Sequence, residues 1–234
     1  MKNILFASTF LLCACSDIKS SALNTSGMNA EIVAMAEGSF TQVEVVLKAG
    51  DANSTTYVEL DVGDSLSATD GTETFELGHS SFGVFHSYNA TFSATEEDTE
   101  FTISFEREIE DDAPSSFAYI AGDFDVTSPF EGDIHSRQNP LRISWETADD
   151  NDEEMNIKAD GSCVYKIDET VRVSAGSYTI NSSDFDSANS DAAQESCTFE
   201  IILERIRVGF LDPAFGSGSV LGGVRKRISI RLDP

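Results

Sequence analysis

Cys197-Thr-Phe-Glu-Ile-Ile-Leu-Glu-Arg205 puts apolar side chains at alternate positions, Cys197, Phe199, Ile201 and Leu203. That is the period of a strand with one buried face. Ninety-eight positions earlier, Thr99-Glu-Phe-Thr-Ile-Ser-Phe-Glu-Arg107 has the same form. Both read Phe-x-Ile-x-(Phe/Leu)-Glu-Arg, so one β unit is expected twice in the 234 residues.

Sliding residues 41–107 onto 139–205 without a gap extends the likeness to 13 identities over 67 positions. They include Asp51/Asp149, Gly63/Gly161, Gly78/Gly176, Phe101/Phe199 and Arg107/Arg205. Conservative pairs fall on strand positions, such as Val43/Leu141, Val45/Ile143 and Leu47/Trp145. The matched glycines read as turns needing positive φ. Short runs rich in Val, Thr, Phe and Tyr, separated by Gly, Asp, Asn and Ser, recur along the chain, and no apolar run has helical spacing with caps. The expected fold is all-β: two tandem β-sandwich modules at 28–110 and 111–234. The acidic, proline-containing Glu108–Ser116 marks the boundary between them, and residues 15–27 read as a flexible tether. The arrangement resembles tandem immunoglobulin-like modules of bacterial surface lipoproteins, although Trp145 precedes both Cys163 and Cys197 and the antibody order of Cys, Trp, Cys is absent.

Residues 1–14 read as a targeting segment. Lys2 gives a cationic start, and Ile4–Leu12 is an apolar run too short to span the roughly 30 Å of a bilayer. The run ends in Leu12-Cys13-Ala14-Cys15, which resembles the lipobox of bacterial lipoproteins, with Leu at −3, a small residue at −1 and the lipidated Cys15. The resemblance implies cleavage before Cys15 and acylation of its sulfur and new amino group, by palmitate or a similar chain. Ser16 in the next position implies the outer membrane of a Gram-negative bacterium, and several acyl chains at about 0.8 kcal/mol per CH₂ make such an anchor lasting. With Cys13 removed and Cys15 acylated, Cys163 and Cys197 remain, and an oxidising compartment pairs them as a disulfide.

Composition narrows the partners. Fifteen basic against 41 acidic residues leave a net charge of −26, which disfavours nucleic acid. The densest carboxylate run, Asp149-Asp-Asn-Asp-Glu-Glu154, offers Asp149, Asn151 and Glu153 as weak Ca²⁺ ligands, but no central Gly or closing Glu completes such a loop. Asp184–Asp191 is a second, weaker acidic stretch. His79, His86 and His135 have no partner at metal-binding spacing and read as exposed or capping. No Gly-x-Ser-x-Gly is present, and Gly216–Gly223 lacks the Lys-Ser/Thr ending of a phosphate loop, so it reads as a flexible connection. Arg225, Arg227 and Arg231 share a face of the last strand; they read as cations paired to the protein's own carboxylates, with an anion-binding edge as the rival. The expectation is a non-enzymatic, lipid-anchored envelope protein with no cofactor, serving as a structural or binding module for a protein or glycan. The rivals are an envelope hydrolase with a scattered carboxylate pair and a Ca²⁺-dependent binding module.

Overall fold

The computed structural model describes residues 16–148, 153–185 and 195–234; the leader with Cys15, and Asp149 and Asn151, lie outside them. Among the described residues every regular element beyond short 3-10 turns is a strand. The first half contains β1 (Ser16–Lys19), β2 (Met28–Glu37), β3 (Phe40–Ala49), β4 (Thr56–Glu59) and β5 (Ser65–Thr69), followed by β6 (Thr74–Glu76), β7 (Gly78–Phe82), β8 (Phe85–Phe92), β9 (Glu100–Glu106) and β10 (Ala113–Tyr119). The second contains β11 (Phe124–Ser128), β12 (Ile134–Ser136), β13 (Leu141–Thr147) and β14 (Glu154–Gly161), followed by β15 (Val164–Arg172), β16 (Ser177–Ile180), β17 (Cys197–Val208) and β18 (Ser217–Asp233).

The strands make two sandwiches of the same order. In the first, β2-β3-β8 opposes β10-β9-β5-β6; in the second, β11-β13-β16 opposes β18-β17-β14-β15. Alternation along each strand drives this. Val43, Val45 and Leu47 of β3 and Phe101, Ile103 and Phe105 of β9 are buried, as are Leu141, Ile143 and Trp145 of β13 and Phe199, Ile201 and Leu203 of β17. Each large apolar side chain so buried contributes about 1.5–3 kcal/mol. Trp145 also donates its indole N–H to the Val173 carbonyl at 2.8 Å.

The duplication therefore holds at the level of topology, but the ungapped alignment fails between its ends. Leu66 pairs with Phe105 and Ile157 with Leu203, so the equivalent strands β5 and β14 lie 91 positions apart, against 98 for Phe105 and Leu203. Tyr88 opposite Val45 corresponds to Tyr178 opposite Ile143, at an offset of 90. The identities at Gly63/Gly161 and Gly78/Gly176 are not structural equivalents, because the segments between the second and third strands differ in length.

Strand pairing also crosses the boundary expected at 110/111. β10 lies beyond it yet pairs with β9 in the first sandwich. β18 joins the two units outright. From Leu221 to Leu232 it is antiparallel to β17, and from Ser217 to Arg225 it runs parallel to Asn29–Glu37 of β2. Residues 221–225 thus have a hydrogen-bonded neighbour on each side, and one 11-stranded sheet runs through both halves. Gly216–Gly223, read as a flexible connection, is strand from Ser217 onward. A Cβ on Gly222 would lie 2.0 Å from the Tyr119 carbonyl oxygen, so glycine stands there because β10 crosses over the strand. The expected tether is a correction as well: Ser16–Lys19 forms β1, parallel to β4, with two 3-10 turns leading on to β2.

Candidate functional site

The repeated Glu-Arg endings are buried clamps. Arg107, 1% exposed at its side chain, donates Nε to Asp64 at 2.8 Å, Nη1 to Thr25 Oγ1 at 3.0 Å and Nη2 to the Ser20 and Leu23 carbonyls. Arg205, 0% exposed, donates Nε to Glu153 and Nη1 to the Asp123 carbonyl. In each unit, then, the arginine takes a carboxylate just before the third strand of the sandwich and holds the backbone that enters the unit. Burying a guanidinium is costly unless its donors are met. Glu153 is committed to Arg205 and Arg207, both carboxylate oxygens engaged, which removes it as the Ca²⁺ ligand considered from sequence.

The arginines of β18 are also matched within the chain. Arg225 meets Glu204 and Glu37, Arg227 meets Glu37 at 2.7 Å and Glu200 at 3.1 Å, and Arg231 meets Asp233 at 2.8 Å. Burial would raise the Glu204 carboxyl, but hydrogen bonds and charge from Lys158 and Arg225 hold it below its ordinary value of 4.5. The strand expected at an edge is interior over 221–225; Arg225 and Arg227 balance carboxylates of β2 and β17, and Arg231 one on β18 itself. Cys163 and Cys197 are bonded, with Cα atoms 5.9 Å apart, tying the β14–β15 turn to the start of β17.

One cluster was not legible in sequence. In the β7–β8 hairpin His79 lies opposite Tyr88, and His86 is its diagonal neighbour on the same face. The two imidazoles stack with centroids 5.1 Å apart, and His79 Nε2 is 2.8 Å from His86 Nδ1. Far from being exposed, His86 is buried, and its Nε2 has no hydrogen-bond partner. That nitrogen faces Asp17 of β1 and Glu59 of β4, and the three side chains bring ligand-capable atoms within 4.8 Å of one another. The Lys19 ammonium, 2.8 Å from Glu59 Oε2, holds the Glu59 carboxyl below its usual range. His135 lies apart, with Nε2 3.0 Å from the Asn139 carbonyl.

Glu59, His79 and Tyr88 also border a cleft of about 510 Å³ that reaches Asp61, Asp64 and Leu77. Glycoside hydrolysis needs one carboxyl kept protonated beside an ionised one. Here the Lys19 hydrogen bond depresses Glu59, Ser21 and the Val62 N–H depress Asp61, and Asp64 is taken by Arg107. Glu76 is a fourth acid of the lining, which gives the cleft an acidic wall beside Leu66 and Leu77.

No protein-family model matches the chain, and no curated protein does. Among solved structures, it is similar to the fibronectin(III)-like modules of CbhA from Clostridium thermocellum, at 10% identity and a TM-score of 0.25, over 87% of this chain and 92% of that one. It is also similar to a two-domain fibronectin type III segment of chicken tenascin, at 10% identity and a TM-score of 0.27, over 88% of this chain and 98% of the segment. A third likeness is to the titin I-band fragment I67–I69, at 9% identity and a TM-score of 0.26, over 88% and 64% of the two chains. At such values the assignment of two immunoglobulin-like sandwiches rests on the strand order of the chain itself.

Proposed function

We propose that the protein is a non-enzymatic component of the cell envelope, anchored by lipid on Cys15 in the outer membrane of a Gram-negative bacterium, and that it acts there as a structural or binding module. The observation that carries this reading is the Cys163–Cys197 disulfide, a bond that persists in oxidising, exported compartments. It agrees with the Leu12-Cys13-Ala14-Cys15 sequence, although Cys15 itself lies outside the described residues. β1 begins at Ser16, so on this reading the acylated residue directly precedes a strand of the sheet and the sandwich stands close to the bilayer. A net charge of −26 repels anionic head groups, and the partner is a protein or glycan rather than nucleic acid. The adhesion or recognition role draws on the acidic cleft beside Glu59 and Asp61.

The test is Cys15→Ala followed by membrane fractionation and labelling with a palmitate analogue. Release of the variant into the soluble fraction with loss of label supports the reading. An unlabelled wild type, or a variant that still sediments with membranes, refutes the anchor.

A further inference from the structure

We propose that Asp17, Glu59 and His86 form a site for one divalent transition-metal ion of the zinc class. The inference is independent of the lipid anchor. It starts from His86, a residue 4% exposed whose Nε2 makes no hydrogen bond and lies 3.6 Å from Asp17 Oδ2, with Glu59 beside them. A buried polar nitrogen without a hydrogen bond is costly, and a ligand supplies what the fold leaves out.

The tautomer suits a ligand. His86 Nδ1 and His79 Nε2 lie 2.8 Å apart, and when His86 Nδ1 carries the hydrogen it donates to His79, leaving Nε2 with a bare lone pair. Metal-bound histidines are oriented in this way, by a hydrogen bond from the other ring nitrogen. His79 is fixed in turn by stacking on Tyr88, whose centroid is 5.2 Å away. Behind it, Tyr88 accepts the Leu60 N–H at 2.8 Å.

The donors also suit the ion. One imidazole nitrogen with two carboxylates is a borderline set that favours zinc over Ca²⁺, which takes about 6–8 oxygens. Ligand atoms about 2.0–2.2 Å from a tetrahedral ion lie about 3.4 Å from one another; His86 Nε2 and Asp17 Oδ2 are already 3.6 Å apart, and the rest of the set, within 4.8 Å, closes by at most about 1.4 Å. Asp17, 54% exposed, has room to swing in. Asp17 and Glu59 come together because β1 is parallel to β4 with Asp17 opposite Tyr57 and Lys19 opposite Glu59. Three protein ligands leave a fourth position open to water or to a donor from a partner. The ion would also cross-link β1, the start of the sheet, to β4 and β8.

Lys19 supplies the sharpest control, since its ammonium competes with the metal for Glu59. The full chain in detergent is dialysed against buffered free Zn²⁺ and its metal content measured, alongside the thermal midpoint with and without the ion. Wild type should bind one zinc per chain, with a midpoint rise of about 5–10 °C at a hundredfold excess over Kd. His86→Gln should lose the site, and Asp17→Asn should weaken it. His79→Phe keeps the ring stack and should weaken binding about 10–100-fold. Lys19→Met should tighten it. Wild type without stoichiometric zinc, or zinc retained equally by His86→Gln and Asp17→Asn, overturns the proposal.

Discussion

Replacing Arg205 by Ala removes the clamp that holds the entry to the second unit. The side chain is 0% exposed and serves Glu153 and the Asp123 carbonyl, while Glu153 keeps a second cation in Arg207, whose Nε is 2.9 Å away. Breaking a buried pair by removing one partner costs about 3–5 kcal/mol, and the surviving Arg207 contact puts the expectation near 3 kcal/mol. For a chain of this size that is about 6–12 °C in the unfolding midpoint. Equilibrium urea unfolding of Arg205→Ala, Glu153→Gln and the double variant isolates the interaction, with an expected coupling of about 0.5–3 kcal/mol. Gly122 provides an internal check: a Cβ there would lie 2.7 Å from Arg205 Nη1. Gly122→Ala should cost about 1–3 kcal/mol in wild type and much less once Arg205 is Ala. Additive single variants, a loss below 1 kcal/mol, or a Gly122→Ala cost unchanged by Arg205→Ala would refute the clamp.

Other expectations follow from the same packing. Glu204 has a depressed carboxyl in the folded state, so its contribution is present above the unfolded value and lost as pH falls below about 4.5; melts from pH 7 to 3 should show a loss that Glu204→Gln lessens. Cys163→Ala with Cys197→Ala opens a link of sequence separation 34 and should lower stability by about 3–4 kcal/mol, read from urea midpoints. Gly222→Ala sets a methyl against the Tyr119 backbone and should cost more than 1 kcal/mol, whereas Gly38→Ala, with nothing within 4 Å but a φ of +63°, should cost only its backbone strain.

Strands with strong alternation were legible. β3, β9, β13 and β17 bury every second side chain, and the Phe-x-Ile repeat located the equivalent strands of the two units. β5 was not, because Ser65-Leu-Ser-Ala-Thr69 buries only Leu66 and Ala68 and carries little apolar signal. β1 is polar, and its pairing is parallel and 40 residues distant, which no local period records. The glycines of β18 looked like a loop because glycine is also what a strand needs where another backbone crosses it. Glu204 and Ile206 break the alternation of β17, being buried on the face opposite Leu203 and Arg205. The histidine cluster depends on a hairpin that brings positions seven apart face to face and on two carboxylates from other strands, so spacing in the chain could not reveal it.

The central structural claim is that β18 makes the two sandwiches one hydrogen-bonded body, and scanning calorimetry of the chain compared with its van't Hoff enthalpy tests it most directly. The shared sheet predicts a single transition with the two enthalpies equal, because neither unit can melt without unpairing Ser217–Arg225 from β2 or Leu221–Leu232 from β17. Two resolved transitions, or a calorimetric enthalpy near twice the van't Hoff value, would show independent modules and contradict it.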